Sequence, residues 1–83
     1  MGTNGLSAEH GLSTPDPDEA AVKTAMVRAA RRVVVLADAT KIGQEHLVSF
    51  ADLTDVDLLV TDAAPATALS HRLTDTGTEV LTA

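Results

Sequence analysis

The sequence predicts an α/β fold built on a mainly parallel sheet. Three observations carry that expectation. Two aliphatic runs, Val33-Val34-Val35-Leu36 and Leu58-Leu59-Val60, are each closed by an aspartate, Asp38 and Asp62. Segments with helical signals stand before the first run and after the second. The apolar content, 45% of 83 residues, is dominated by Ala, Val and Leu, with Phe50 the one aromatic residue. Small aliphatic side chains suit helices packed closely on a sheet that is covered on both faces.

Residues 1–15 read as an entering loop, because Gly2, Asn4-Gly5, Gly11 and Pro15 crowd it with chain breakers. Residues 16–83 form the α/β segment. A helix is expected at about residues 17–30, with Asp16 as its N-cap and Pro17 at its first position. Glu19 stands three residues after Asp16, as in an acidic variant of the capping box. Val22, Ala25, Met26, Ala29 and Ala30 recur at helical spacing and mark the face expected to be buried. Glu19 and Lys23 form a favourable i,i+4 pair on its flank.

Residues 32–37 follow as a strand that the unbroken aliphatic run places at the centre of a parallel sheet. Asp38-Ala-Thr-Lys-Ile-Gly43 is a polar turn. A short strand is expected around residues 47–50, a single helical turn over 53–56, and a second buried strand over 57–61. A second helix begins at Pro65, carries Leu69 and Leu73, and is capped by Gly77. Residues 79–82 close the chain as a short strand. Right-handed crossovers would set the helices on the sheet faces.

Composition excludes several functions. Net charge is −6, and the arginines Arg28, Arg31 and Arg32 form the one basic cluster. A free-standing nucleic-acid binder carries a basic face, so direct nucleic-acid binding by this segment is not expected. The arginines complement a helix dipole instead. There is no cysteine, hence no disulfide and no thiolate metal site. No signal peptide opens the sequence, and the longest apolar run is far too short for a bilayer. The chain reads as a soluble cytoplasmic protein without membrane contact. A chain this short buries only roughly 60–65% of the surface its unfolded form exposes, so its stability is expected to be marginal.

Ligands of open α/β sheets bind beyond the carboxyl ends of the strands. The turn at Asp38 to Gly43 is therefore the first candidate site. Asp38 can accept hydrogen bonds from sugar hydroxyls, Lys41 can present a charge to a phosphate, and Gly43 permits close backbone approach. The same residues also make an ordinary solvated turn. Thr3-Asn4-Gly5 could form an anion nest, or simply a turn. His10, His46 and His71 lack metal-ligand spacing, and neither metal nor cofactor is called for. No nucleophile elbow, P-loop or dinucleotide fingerprint is present.

Three stretches, taken in order, carry a resemblance across nearly the whole chain. The first is Gly2-Thr-Asn-Gly-Leu-Ser with Gly11-Leu-Ser-Thr-Pro-Asp16 and Glu19-Ala-Ala-Val-Lys23-Thr-Ala-Met26. The second is Arg32-Val-Val-Val-Leu-Ala-Asp38-Ala-Thr-Lys41-Ile-Gly43, and the third is Phe50-Ala-Asp-Leu-Thr-Asp-Val-Asp57-Leu-Leu-Val-Thr-Asp62. Together they resemble the DeoR family of bacterial transcriptional repressors. The resemblance implies a partial Rossmann-like sensor domain, similar to ribose-phosphate isomerases and CoA-transferases, that binds a phosphorylated sugar effector and does not catalyse. It implies an effector site of Asn4, Gly5, Glu19, Lys23, Asp38 and Lys41, with Lys41 pairing with the phosphate. Thr40 and Ile42 replace a serine and an aromatic residue common in the family.

Two family features are missing: the helix-turn-helix and an early Gly-Gly-Thr-Thr type phosphate loop. The expectation is thus a C-terminal portion of the sensor domain, with Met1 an internal methionine of a longer ancestral frame. Operator DNA would be reached only through the N-terminal domain of an intact homologue. An uncovered sheet edge predicts partial unfolding or assembly into a homo-oligomer. Two rival readings stay open at this point: a small sugar-phosphate isomerase-like enzyme, and an interaction module that assembles with full-length repressors.

Overall fold

The structure is a computed structural model describing residues 1–83. It contains two three-stranded sheets and two helices. The element order is β1 (Gly5–Ser7), β2 (Gly11–Thr14), α1 (Pro17–Ala29), β3 (Val34–Leu36), β4 (Val48–Ala51), a 3-10 turn (Leu53–Asp55), β5 (Leu58–Thr61), α2 (Thr67–Thr76) and β6 (Glu79–Thr82). One sheet is parallel with the order β3-β5-β6, and the other is antiparallel with the order β1-β2-β4. The α/β class therefore stands, whereas a single mainly parallel sheet does not.

The antiparallel sheet corrects the entering loop expected over residues 1–15. Gly5-Leu6-Ser7 and Gly11-Leu12-Ser13 are two copies of one tripeptide, folded into a hairpin with Leu6 opposite Leu12. Both leucines are fully buried. The breakers serve the hairpin: Gly11 takes φ +67 and lies against the backbone of Ala51 and Asp52, which leaves no room for a Cβ.

The parallel sheet follows the aliphatic runs. Val34, Val35 and Leu36 pair with Leu58, Leu59 and Val60, which pair in turn with Glu79, Val80 and Leu81. The central strand is β5, not β3. On its other side β3 gains one parallel bridge, Gly2 to Leu36, with Leu36 N–H donating to the Met1 carbonyl at 2.9 Å. Strand alternation sends Val35 and Leu59 into the core, both fully buried. Leu36, Val60 and Leu81 form a cross-strand row on the opposite face, where Leu36 is 57% exposed. Leu81 is exposed too and Val60 half-buried, contrary to a strand covered on both sides.

α1 starts as its cap predicts. The Asp16 carboxylate accepts from the N–H groups of Asp18 (2.9 Å) and Glu19 (3.4 Å). The reciprocal half of a capping box is absent, because Glu19 pairs with Lys23 at 2.7 Å. The helix buries a different face from the one its periodicity marks. Ala20 is buried, with Thr24 and Val27 half-buried, against β2 and β4, while Val22 and Met26 are 61% and 51% exposed. Small residues win the contact because they let the helix approach the sheet. Thr24 satisfies its hydroxyl on the Ala20 carbonyl (2.8 Å) and the Phe50 carbonyl (3.2 Å).

α2 begins at Thr67, two residues after Pro65, and ends on Gly77 at φ +77, as a left-handed cap requires. Leu69 and Leu73 are its buried face. Thr78 then anchors β6, its hydroxyl donating to the carbonyls of Leu53 (3.1 Å) and Val56 (2.9 Å). The core is one cluster running from Leu6 and Leu12 through Val35, Phe50 and Leu59 to Leu73.

Candidate functional site

The turn after β3 is built by local hydrogen bonds. The Asp38 carboxylate accepts from the Thr40 N–H at 2.9 Å and from the Thr40 hydroxyl. The Asp38 carbonyl accepts from Lys41 N–H at 3.0 Å. The Thr40 hydroxyl, then its N–H, and less strongly the nearby Lys41 ammonium, hold the Asp38 carboxyl below the ordinary aspartate range. Asp38 is thus a carboxylate at neutral pH, an acceptor for hydroxyl donors. Past the turn, the Lys41 carbonyl accepts from Leu6 N–H (3.1 Å) and Gly43 N–H donates to the Leu6 carbonyl (2.7 Å). Gly43 makes this bend at φ +88 with open space where a Cβ would be. Lys41 is half-buried, and its ammonium takes part in no hydrogen bond or ion pair within the chain.

Two further observations concern the other expected residues. The parallel bridges Gly2–Leu36 and Leu6–Ile42 flank Asn4 on one segment and Asp38 and Lys41 on the other, with a two-residue shift of register between them. The Lys23 ammonium reaches from α1 to the Gly2 carbonyl at 2.9 Å, with Glu19 as its ion-pair partner and the Phe50 ring 5.3 Å away. Asn4 thus runs beside the turn that carries Asp38 and Lys41, whereas Lys23 and Glu19 meet the chain at Gly2, and no hydrogen bond or ion pair joins either of them to Asp38 or Lys41. Glu19 and Lys23 neutralise each other, which leaves Lys41 as the uncommitted cation. Gly5 is different. It is buried, and a Cβ there would come closer than 3.0 Å to the Gln44 carbonyl oxygen, the His46 ring and the Ser13 hydroxyl. Its visible role is to let β1 meet the segment after the turn. His46 supports the same seam, its Nε2 lying 3.0 Å from the Asn4 carbonyl.

A crevice of about 370 Å³ opens beyond β3 and β5. Leu36 and Val60 contribute to its floor, and Asp38 and Asp62 to its rim. Of the six expected effector residues only Asp38 lines it. A larger hollow of about 550 Å³ lies between α1 and β4, with Arg28, Asp52 and Asp55 on its walls and none of the six. Its two carboxylates outweigh its one cation, so it is a poor anion site. The sequence marks Asp62 as a strand-end aspartate but not its tie to the turn, where its Oδ1 accepts from Ala39 N–H at 2.8 Å. Its position at the end of the second aliphatic run was the available signal.

Residues 1–63 match the family model described as the DeoR C terminal sensor domain. The chain is 48% identical over 62 residues to the HTH-type transcriptional regulator GlpR of Haloferax volcanii, covering 75% of this chain and 24% of that protein. It is 36% identical over 81 residues to the HTH-type transcriptional repressor GlcR of Bacillus subtilis, covering 98% of this chain and 31% of that protein. To the glycerol-3-phosphate regulon repressor of Escherichia coli K12 it is 29% identical over 75 residues, covering 90% of this chain and 30% of that protein. The chain thus spans between 24% and 31% of the length of these relatives. With the family model matching most of its residues, the chain belongs to the family of the DeoR C-terminal sensor domain.

Proposed function

We propose that this chain is the effector-sensing part of a DeoR-type transcriptional repressor of carbohydrate metabolism. Its ligand in this reading is a phosphorylated sugar, bound at the carboxyl end of β3. One observation carries the reading: an ionised Asp38 and an unpaired Lys41 share one short turn at a strand end. A carboxylate suits sugar hydroxyls, and an ammonium suits a phosphate. Operator DNA is reached only through the DNA-binding part of an intact homologue. There the effector works by population shift, favouring the state with the lower operator affinity. The role is sensing rather than catalysis.

The test is a thermal melt of the chain with glycerol 3-phosphate, fructose 1-phosphate and inorganic phosphate. A ligand at about 100 times its Kd stabilises the folded state by about 2.7 kcal/mol. For a domain this small that is a rise of roughly 10–20 °C. We expect a rise with at least one sugar phosphate and its loss in Lys41→Ala. No rise with any of them, or an undiminished rise in Lys41→Ala, would refute the proposal.

A further inference from the structure

We infer that Asp62 is a positioning residue of the effector site, acting on Lys41 through the backbone of Ala39. This inference rests on the sugar-phosphate reading above. It starts from how the turn at residues 38–43 is held. At its far end two backbone hydrogen bonds tie it to β1, through Leu6 N–H and Leu6 carbonyl. At its near end Ala37 N–H donates to the Val60 carbonyl at 3.0 Å, the last backbone link between β3 and β5. Between those ties, the only bond from another element is Ala39 N–H to the Asp62 carboxylate, at 2.8 Å.

That bond sits where the turn needs it. Asp38 and Thr40 spend their polar groups on each other, so they stiffen the turn internally without orienting it on the protein. Asp62, at the end of the neighbouring parallel strand, supplies the external reference. Fixing Ala39 sets the direction in which the chain leaves toward Lys41. The carboxylate uses Oδ1 alone for this bond, and an asparagine amide oxygen could take its place. The side chain is exposed, so its removal leaves the core intact and acts on the turn.

The experiment measures binding and stability together in three versions of the 83-residue chain: wild type, Asp62→Ala and Asp62→Asn. The probe is whichever of glycerol 3-phosphate or fructose 1-phosphate raises the wild-type melting point. We expect Asp62→Ala to weaken binding about tenfold, as loss of one charge-assisted hydrogen bond implies, with the ligand-free melting point nearly unchanged. Asp62→Asn should retain binding within about threefold, because the acceptor is kept. Equal losses in Asp62→Asn and Asp62→Ala would overturn the inference. Absence of any wild-type shift would overturn the sugar-phosphate reading and this inference with it. A wild-type shift that Asp62→Ala leaves untouched would overturn the inference alone.

Discussion

Gly5 offers a sharp test of how the site is supported. Its φ is not positive, so Gly5→Ala meets no backbone penalty and the cost must come from contact. The new Cβ would lie 2.9 Å from the His46 ring and the Ser13 hydroxyl, and closer still to the Gln44 carbonyl. The segment at 44–46 cannot simply retreat. His46 N–H donates to the Ser13 hydroxyl at 3.0 Å, His46 Nε2 lies 3.0 Å from the Asn4 carbonyl, and Gln44 N–H donates to the Lys41 carbonyl at 3.3 Å. Overpacking by one methyl costs about 1–3 kcal/mol, and losing one of these hydrogen bonds adds about 1. We therefore expect a loss of about 2–4 kcal/mol from a total of roughly 4–12 kcal/mol for a chain of this size. The melting point should fall by roughly 10–25 °C, read by circular dichroism at 222 nm. Gly2→Ala is the matched control, since nothing lies within 4 Å of its added Cβ. A Gly5→Ala melt within about 2 °C of wild type, or an equal loss in Gly2→Ala, would refute the argument.

Further outcomes follow from the same geometry. Leu59→Ala and Leu73→Ala remove side chains at 0% and 1% exposure, and each should cost about 2–5 kcal/mol by denaturant titration. Val22→Ala, on the outward face of α1, should cost under about 0.5 kcal/mol in the same titration. Thr40→Ala should raise the Asp38 titration toward the ordinary aspartate range, since the Thr40 hydroxyl is the main cause of its lowering; carboxyl-carbon NMR reads the shift. The sign is set by linkage. A lowered folded-state value means that any stability from Asp38 is present above its unfolded titration range and is lost as pH falls through its folded one. Finally, the exposed Leu36 and the exposed β6 should make the melting point rise with protein concentration through self-association; a concentration-independent melt of a monomer would contradict this.

Much of the fold could be read from local signals. Asp16 and Pro17 mark the start of α1, and Gly77 marks the end of α2, because caps are chemistry within a few residues. The two aliphatic runs located β3 and β5 for the same reason. What escaped was decided between distant residues. The hairpin at residues 5–14 has only one leucine in each strand, and its glycines read as breakers until Leu12 is seen against both Leu6 and Ala51. The buried face of α1 escaped because hydrophobicity favours Val22 and Met26, whereas close approach to the sheet favours Ala20 and Thr24. In the site, Asp38 and Lys41 were visible as neighbours in one turn. The reach of Lys23 to Gly2 and of Asp62 to Ala39 spans 21 and 23 residues, and no local pattern encodes either.

The row of exposed Leu36, half-buried Val60 and exposed Leu81 has a calorimetric consequence. Apolar surface that is already wet in the native state is not newly hydrated when the chain unfolds. The heat-capacity increment should therefore fall below the roughly 1.0–1.2 kcal/mol/K expected for a fully covered domain of this length. A smaller increment flattens the curve of stability against temperature. Such a chain loses its structure gradually on warming and resists cold denaturation. Anything that roofs the row, a second copy included, would steepen the curve and show itself first as excess heat capacity.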